Sequence, residues 1–284
     1  MRCLVLAAVL GLLAACGQGV SADTPTPTPP PTEYVTEATV LESPEHGPQL
    51  CFAVATSYPP QCGGADVRGW SWSAVDDEES ASGTTWGVYR VHGTYADGAL
   101  TLTREPSEPE PFDEDAAAEE SRFTTPCPEP AGGWFPEGRT KIGERDRSRA
   151  IGVARRDASF GDLWVDQRPV GEPTEETMND PARLILNVSV TGGVAAMQSR
   201  LREVWGGALC VSEVRHTNQE LKRITQQVDE RAGSLLLSSS WGDDRVDLDV
   251  LVDVGGRLQQ ELDDEHGPGT VKVTSALKAV PPES

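Results

Sequence analysis

The chain is 284 residues long and sets 24 Lys and Arg against 45 Asp and Glu, a formal net charge of −21. That length suits one or two domains. The charge opposes nucleic-acid binding, which needs basic side chains to neutralise phosphates, and opposes adsorption of the protein surface onto anionic lipid. Hydrophobic residues supply 37% of the chain, enough for a core but below the usual globular share.

Met1-Arg2 places one positive charge ahead of an almost unbroken apolar run at residues 4–13. A run this short after a basic start reads as the core of a signal peptide, because a membrane span needs roughly twenty apolar residues. It closes on Leu13-Ala14-Ala15-Cys16, which resembles the lipobox of bacterial lipoproteins. The resemblance implies cleavage before Cys16 and acylation of its thiol and new amino group. At about 0.8 kcal/mol per buried methylene, several acyl chains hold a protein at a membrane, here through Cys16. Residues 1–15 are therefore expected as signal peptide, and 16–33 as the lipidated Cys with a tether. The tether contains TPTPTPPPT, which favours extended polyproline II at about 3.1 Å per residue. The expected location is the extracytoplasmic face of the cell membrane.

Besides Cys3 and Cys16, the chain holds Cys51, Cys62, Cys127 and Cys210. An even number in an exported chain suggests disulfides. Four cysteines allow three connectivities, and the sequence leaves the choice open. Locality favours Cys51–Cys62, whose intervening FAVATSYPPQ carries a Pro-Pro turn, and Cys127–Cys210 would follow by elimination. A metal site is the rival reading, but there is no CxxC pair and the four His are scattered.

Residues 34–104 look all-β. TEATVLE, QLCFAVA, VRGWSWSAV, WGVYRVHGTY and ALTLTR are short runs rich in Val, Thr and aromatics. Turn material, including the acidic DDEESASG, separates them. Gly93 suggests a bulge and Asp97-Gly98 a tight turn. A small barrel or sandwich is expected, with an OB-like barrel among the options. Trp70, Trp72 and Trp86 read as core more readily than as a binding face. Residues 105–122 form an acidic, Pro-rich linker in which like charges repel and stay solvated, and 123–159 form a connecting segment containing Cys127.

Across 160–280 the periodicity changes. FGDLWVDQ, ARLILNVSV, ALCVSEV, SLLLSSS, RVDLDVLVD and TVKVTSAL read as strands. Val194, Met197, Leu201 and Val204 share one helical face, as do Leu221, Ile224 and Val228. Thr217 and Glu220 form a capping box ahead of the second helix. Leu258 and Leu262 mark a third, stopped at Gly267 with Pro268 behind it. The order β-β-α-β-α-β-β-α-β predicts an α+β sandwich with helices on a mostly antiparallel sheet, so the chain is α+β as a whole.

Two resemblances follow. LCFAVATSYPPQCGG, GWSW, TPCPEPAGGW, VWGGALCVSEV and DDEHGPGTVKVTSAL are similar to uncharacterised actinobacterial surface lipoproteins, which implies a surface location and no particular activity. FGDLWVDQ, LILNVSVTG and the TNQEL helix resemble, over some 90 residues, the prodomain of streptogrisin-like and α-lytic-like proteases. That resemblance implies a shared α+β topology.

The chain has no G-x-S-x-G elbow, P-loop, HExxH or G-x-G-x-x-G. His46 and His216 read as loop residues, His92 lies between Val91 and Gly93, and His266 suits a helix C-terminus. Asp243, Asp244, Asp247 and Asp249 form a local acidic group that suggests a solvated strand face more readily than a cation site. No catalytic, cofactor-binding or metal-ligating residue is assigned, and no cofactor is expected. The expectation is a non-catalytic binding or scaffolding module at the cell surface. Its expected contacts are membrane lipid through Cys16 and an unknown surface protein or ligand, with no nucleic acid. The alternatives are a prodomain-like protease inhibitor or folding helper, and a hydrolase with an unrecognised site.

Overall fold

The computed structural model describes residues 31–110, 124–134, 140–167, 174, 177 and 180–281. The leader, Cys16, all but the end of the tether and most of the acidic linker lie outside the described residues. The fold is mixed α+β.

Strands β1 (Glu33–Ser43), β2 (His46–Cys51), β3 (Ala65–Arg68), β5 (Thr84–Ala96) and β6 (Ala99–Leu102) close into a five-stranded barrel, in the order β1-β2-β3-β6-β5 and back to β1. All its pairings are antiparallel except β3 with β6. This is an OB-like barrel, one of the forms the sequence allows. Alternation drives it: Tyr34, Thr36, Ala38 and Val40 of β1 turn inward and meet Leu50, Val67, Tyr89, Val91 and Leu100. Trp70 and Trp72 pack against that core and against Tyr89, with ring centroids 5.2 and 6.3 Å from it, while Trp86 is buried beside the Cys51–Cys62 bridge.

Several local expectations change. QLCFAVA leaves the sheet at Cys51, and VRGWSWSAV leaves it at Arg68, because Gly69 takes a φ of 86° and turns the chain into a short 3-10 turn at Trp72–Ala74. The acidic DDEESASG turn contributes a short strand, β4 (Glu79–Ala81), along β5. Gly93 marks no bulge, since the β1–β5 register runs unbroken past it. A Cβ there would come 2.5 Å from the Thr101 carbonyl oxygen, so the glycine serves the close approach of β6. The bulge lies in β2, where the three steps from His46 to Gln49 face only two, Leu41 to Ser43, in β1. Asp97-Gly98 makes the tight turn as expected, with φ of 51° and 74°.

The rest of the chain is one motif used twice. Helix α1 (Glu144–Arg155), strands β7 (Phe160–Asp166) and β8 (Ile185–Val190), helix α2 (Val194–Arg202) and strand β9 (Ala208–Glu213) form the first copy. Helix α3 (Asn218–Ala232), strands β10 (Leu236–Gly242) and β11 (Arg245–Val250), helix α4 (Arg257–His266) and strand β12 (Val271–Ser275) form the second. In each copy the first two strands pair antiparallel, and the last two pair parallel through a crossover helix. The single expected sheet is therefore two three-stranded sheets, β7-β8-β9 and β10-β11-β12. Helix α1, inside the expected connecting segment, is an addition to the sequence reading; it packs through Ala150 and Ala154, too small to give a strong apolar stripe.

The first sheet is covered on both faces, and every residue of β8 is buried. Leu186, Val188 and Val190 meet the helices, whereas Ile185 lies under Trp134 with Ala208 and Cys210. The Cys127–Cys210 disulfide pins the 124–134 segment there, and Asp166 accepts a hydrogen bond from the Thr125 amide at 2.8 Å. The second sheet has one covered face only: Val246, Leu248 and Val250 are buried, while Arg245, Asp247 and Asp249 between them are half-buried. This second copy also completes the barrel. Leu251, Val252 and Leu277 enter the barrel core, and β13 (Lys278–Ala279) pairs with β1, Tyr34 opposite Ala279.

Candidate functional site

Where β2 ends, Cys51 leads into a loop closed by the Cys51–Cys62 disulfide and by an Ala55–Gln61 bridge. The loop returns through Gly63 and Gly64 into β3. A Cβ on Gly64 would overlap the Leu50 carbonyl oxygen, so only glycine fits; a Cβ on Gly63 would meet nothing within 4 Å. Phe52, Ala53, Gly63, Gly64 and Gly98 make one wall of a cleft of about 750 Å³.

The opposite wall comes from the second copy. Leu236, Leu237 and Ser238 of β10 stand beside Asp249, with Leu251 at the base and Thr274 and Ala276 at the end of β12. Hydrogen bonds from the Leu251 amide to the Leu235 carbonyl (2.7 Å) and from the Leu277 amide to the Leu251 carbonyl (2.9 Å) hold that base. The volume lies in the range of small-molecule sites, and the lining has their character: mostly apolar, with few polar groups. Ser238 Oγ donates to Asp249 Oδ2 at 2.6 Å, and Asp249 is opposite Thr274 in the sheet. Asp249 is the one charged residue of the lining, which contains no His, Lys or Arg among the described residues. The arrangement can hold a largely apolar molecule whose hydrogen-bond donors face the Ser238–Asp249–Thr274 strip.

The residues singled out in the sequence are placed as follows. The pairings are Cys51–Cys62, the one locality favours, and Cys127–Cys210, the one left by elimination, with Cα separations of 5.9 and 5.7 Å. Cys16 lies outside the described residues. His46 bonds the Gly47 carbonyl on an exposed edge, and His266 ends α4 beside Glu265. Burial, then the charge of Arg104, lowers the pKa of His92. His216 Nδ1 lies 3.1 Å from Asp244, which also accepts from the amides of Arg215 and His216 and from Arg215 Nε. Burial pushes the Asp244 carboxyl up, but these bonds outweigh it and leave its pKa lowered. The acidic group is thereby dispersed: Asp244 braces the β10–β11 turn against the start of α3, Asp247 pairs with Arg245, and Asp249 enters the cleft. Among the described residues no group of His, Cys, Asp and Glu is placed to hold a metal ion, and no helix is long and apolar enough to cross a membrane.

Sequence reasoning does not find the cleft, because its walls come from residues some two hundred positions apart. The local signals are Gly63-Gly64 after Cys62 and the leucines that open β10. No protein-family model matches this chain, and no curated protein matches it.

Proposed function

We propose that the protein is a lipid-anchored extracytoplasmic lipoprotein that acts as a non-catalytic binding module, holding a small, largely apolar ligand between the barrel and the second copy of the repeated motif. The cleft of about 750 Å³, with its apolar walls and single acidic strip, carries the binding reading. The lipobox-like Leu13-Ala14-Ala15-Cys16 and the two disulfides support the compartment. Gly63 provides the test, since a side chain there enters the cleft without striking the backbone. Native mass spectrometry of protein purified gently from its own membranes should show a bound small molecule that Gly63→Trp excludes at unchanged melting temperature. An empty wild-type protein, or a ligand retained by Gly63→Trp, would contradict the binding reading.

A further inference from the structure

A second cleft, of about 410 Å³, lies between the two copies of the motif. Its walls are two edge strands, β7 and β10, each first in its own sheet. Asp162, Leu163 and Trp164 come from β7, and Ser240, Trp241 and Asp243 from β10 and its turn. We propose that this cleft binds an organic ammonium group, an alkylated cation small enough to sit against the indoles.

Trp241 carries the first part of the argument. It is 39% exposed and is the one tryptophan among the exposed large apolar side chains, whereas Trp86, Trp134 and Trp205 are buried. Folding leaves its ring at the mouth of a cleft. Trp164 is held by its edge, with Nε1 donating to the Thr124 carbonyl at 3.1 Å.

Charge decides what would cover these rings. The lining holds two carboxylates and no Lys, Arg or His. Asp162 is fixed: its Oδ1 accepts from the Leu163 amide at 2.7 Å and its Oδ2 from the Asp243 amide at 3.3 Å. Asp243 sits in the two-residue β10–β11 turn at φ 51°, exposed, and its carboxylate has no partner among the described residues. An anion is repelled here, and a neutral apolar molecule gains nothing from the carboxylates. A cation with an apolar shell is attracted both by the electron-rich indole faces and by the two negative charges. Asp244, the neighbouring acid, is already neutralised by Arg215, so the unbalanced charge belongs to the cleft.

Titration calorimetry of the folded protein with choline, with its uncharged carbon isostere dimethylbutanol and with phosphatidylcholine vesicles tests the assignment. Choline should bind saturably and more weakly as salt is raised, and dimethylbutanol should give no saturable heat. Trp241→Ala should weaken choline binding about tenfold, and Asp243→Asn about threefold to tenfold. Both positions are exposed, so melting temperatures should hold, and Asp243→Asn keeps the test open if Trp241→Ala misfolds. Binding of vesicles as well as choline makes a lipid headgroup the source of the cation; binding of choline alone makes it a soluble one. No saturable choline binding, equal affinity for dimethylbutanol, or choline binding indifferent to both substitutions overturns the proposal.

Discussion

Leu201 on α2 and Leu262 on α4 each bury the crossover helix of one copy of the motif in that copy's own core. Each is almost completely buried, and each follows by four residues another apolar side chain, Met197 or Leu258, on the same helical face. The cores they enter share no residue: one gathers Ala150, Leu186, Val188 and Leu209, the other Ile224, Val228, Leu248 and Val271. Leu201→Ala and Leu262→Ala should each destabilise by about 2–5 kcal/mol. The double variant should lose the sum to within about 0.5 kcal/mol, as separate sites do. Urea unfolding of the two single variants and the double variant measures this, and a large coupling would show that the cores pack as one.

The Cys127–Cys210 bridge joins residues 83 positions apart, and chain entropy assigns such a loop about 4.5 kcal/mol, against about 3 kcal/mol for Cys51 and Cys62, 11 positions apart. Cys127→Ser should release the 124–134 segment, expose Ile185 and Trp134, and lower the melting temperature by roughly 5–15 °C. Limited proteolysis should cut that segment first. A variant as resistant as the parent would mean that Trp134 and the Thr125–Asp166 bond hold it alone.

The carboxyl of Asp157 is lowered to about 2, chiefly by the Ser159 hydroxyl and then by Arg200 and the Ser159 amide. A pKa lower in the folded than in the unfolded chain stabilises above the ordinary carboxylate range, and that contribution fades as pH falls through the folded value. Asp157→Asn should therefore cost about 1 kcal/mol at neutral pH. Its melting curve should converge on that of the parent as pH falls from about 4 toward 2. A difference that persists undiminished at pH about 2 would assign the loss to packing instead.

Thr217 caps α3: its hydroxyl accepts from the Glu220 amide at 3.1 Å, and Glu220 accepts from the Thr217 amide at 2.8 Å. Thr217→Ala should cost about 1 kcal/mol and Thr217→Ser much less, read from thermal unfolding. Equal losses in both would rule out the hydroxyl as the source.

What was legible in the sequence was local. The capping box at Thr217, the Asp97-Gly98 turn and the stop at Gly267 each rest on chemistry within a few residues, and each stands in the structure. The alternation in β1 and β5 revealed a small β-domain, barrel or sandwich, because one face of each strand is buried and the other is more open; the closure of β5 onto β1 that makes it a barrel was not legible. Helix α1 escaped because its buried positions are alanines among arginines. The division into two sheets escaped because β9 and β10 look alike whether or not they pair. Gly93 shows the ambiguity at its sharpest, since a glycine in a strand announces either a bulge or a close neighbour, and only the position of Thr101 decides.

The lipid anchor at Cys16 is the claim on which compartment, disulfides and tether converge. Intact-mass spectrometry of the protein extracted from its own membranes tests it directly. The account predicts a chain beginning at Cys16 and carrying the added mass of acyl chains, which Cys16→Ser abolishes together with membrane retention. A membrane-derived chain with an unmodified Cys16 would contradict it.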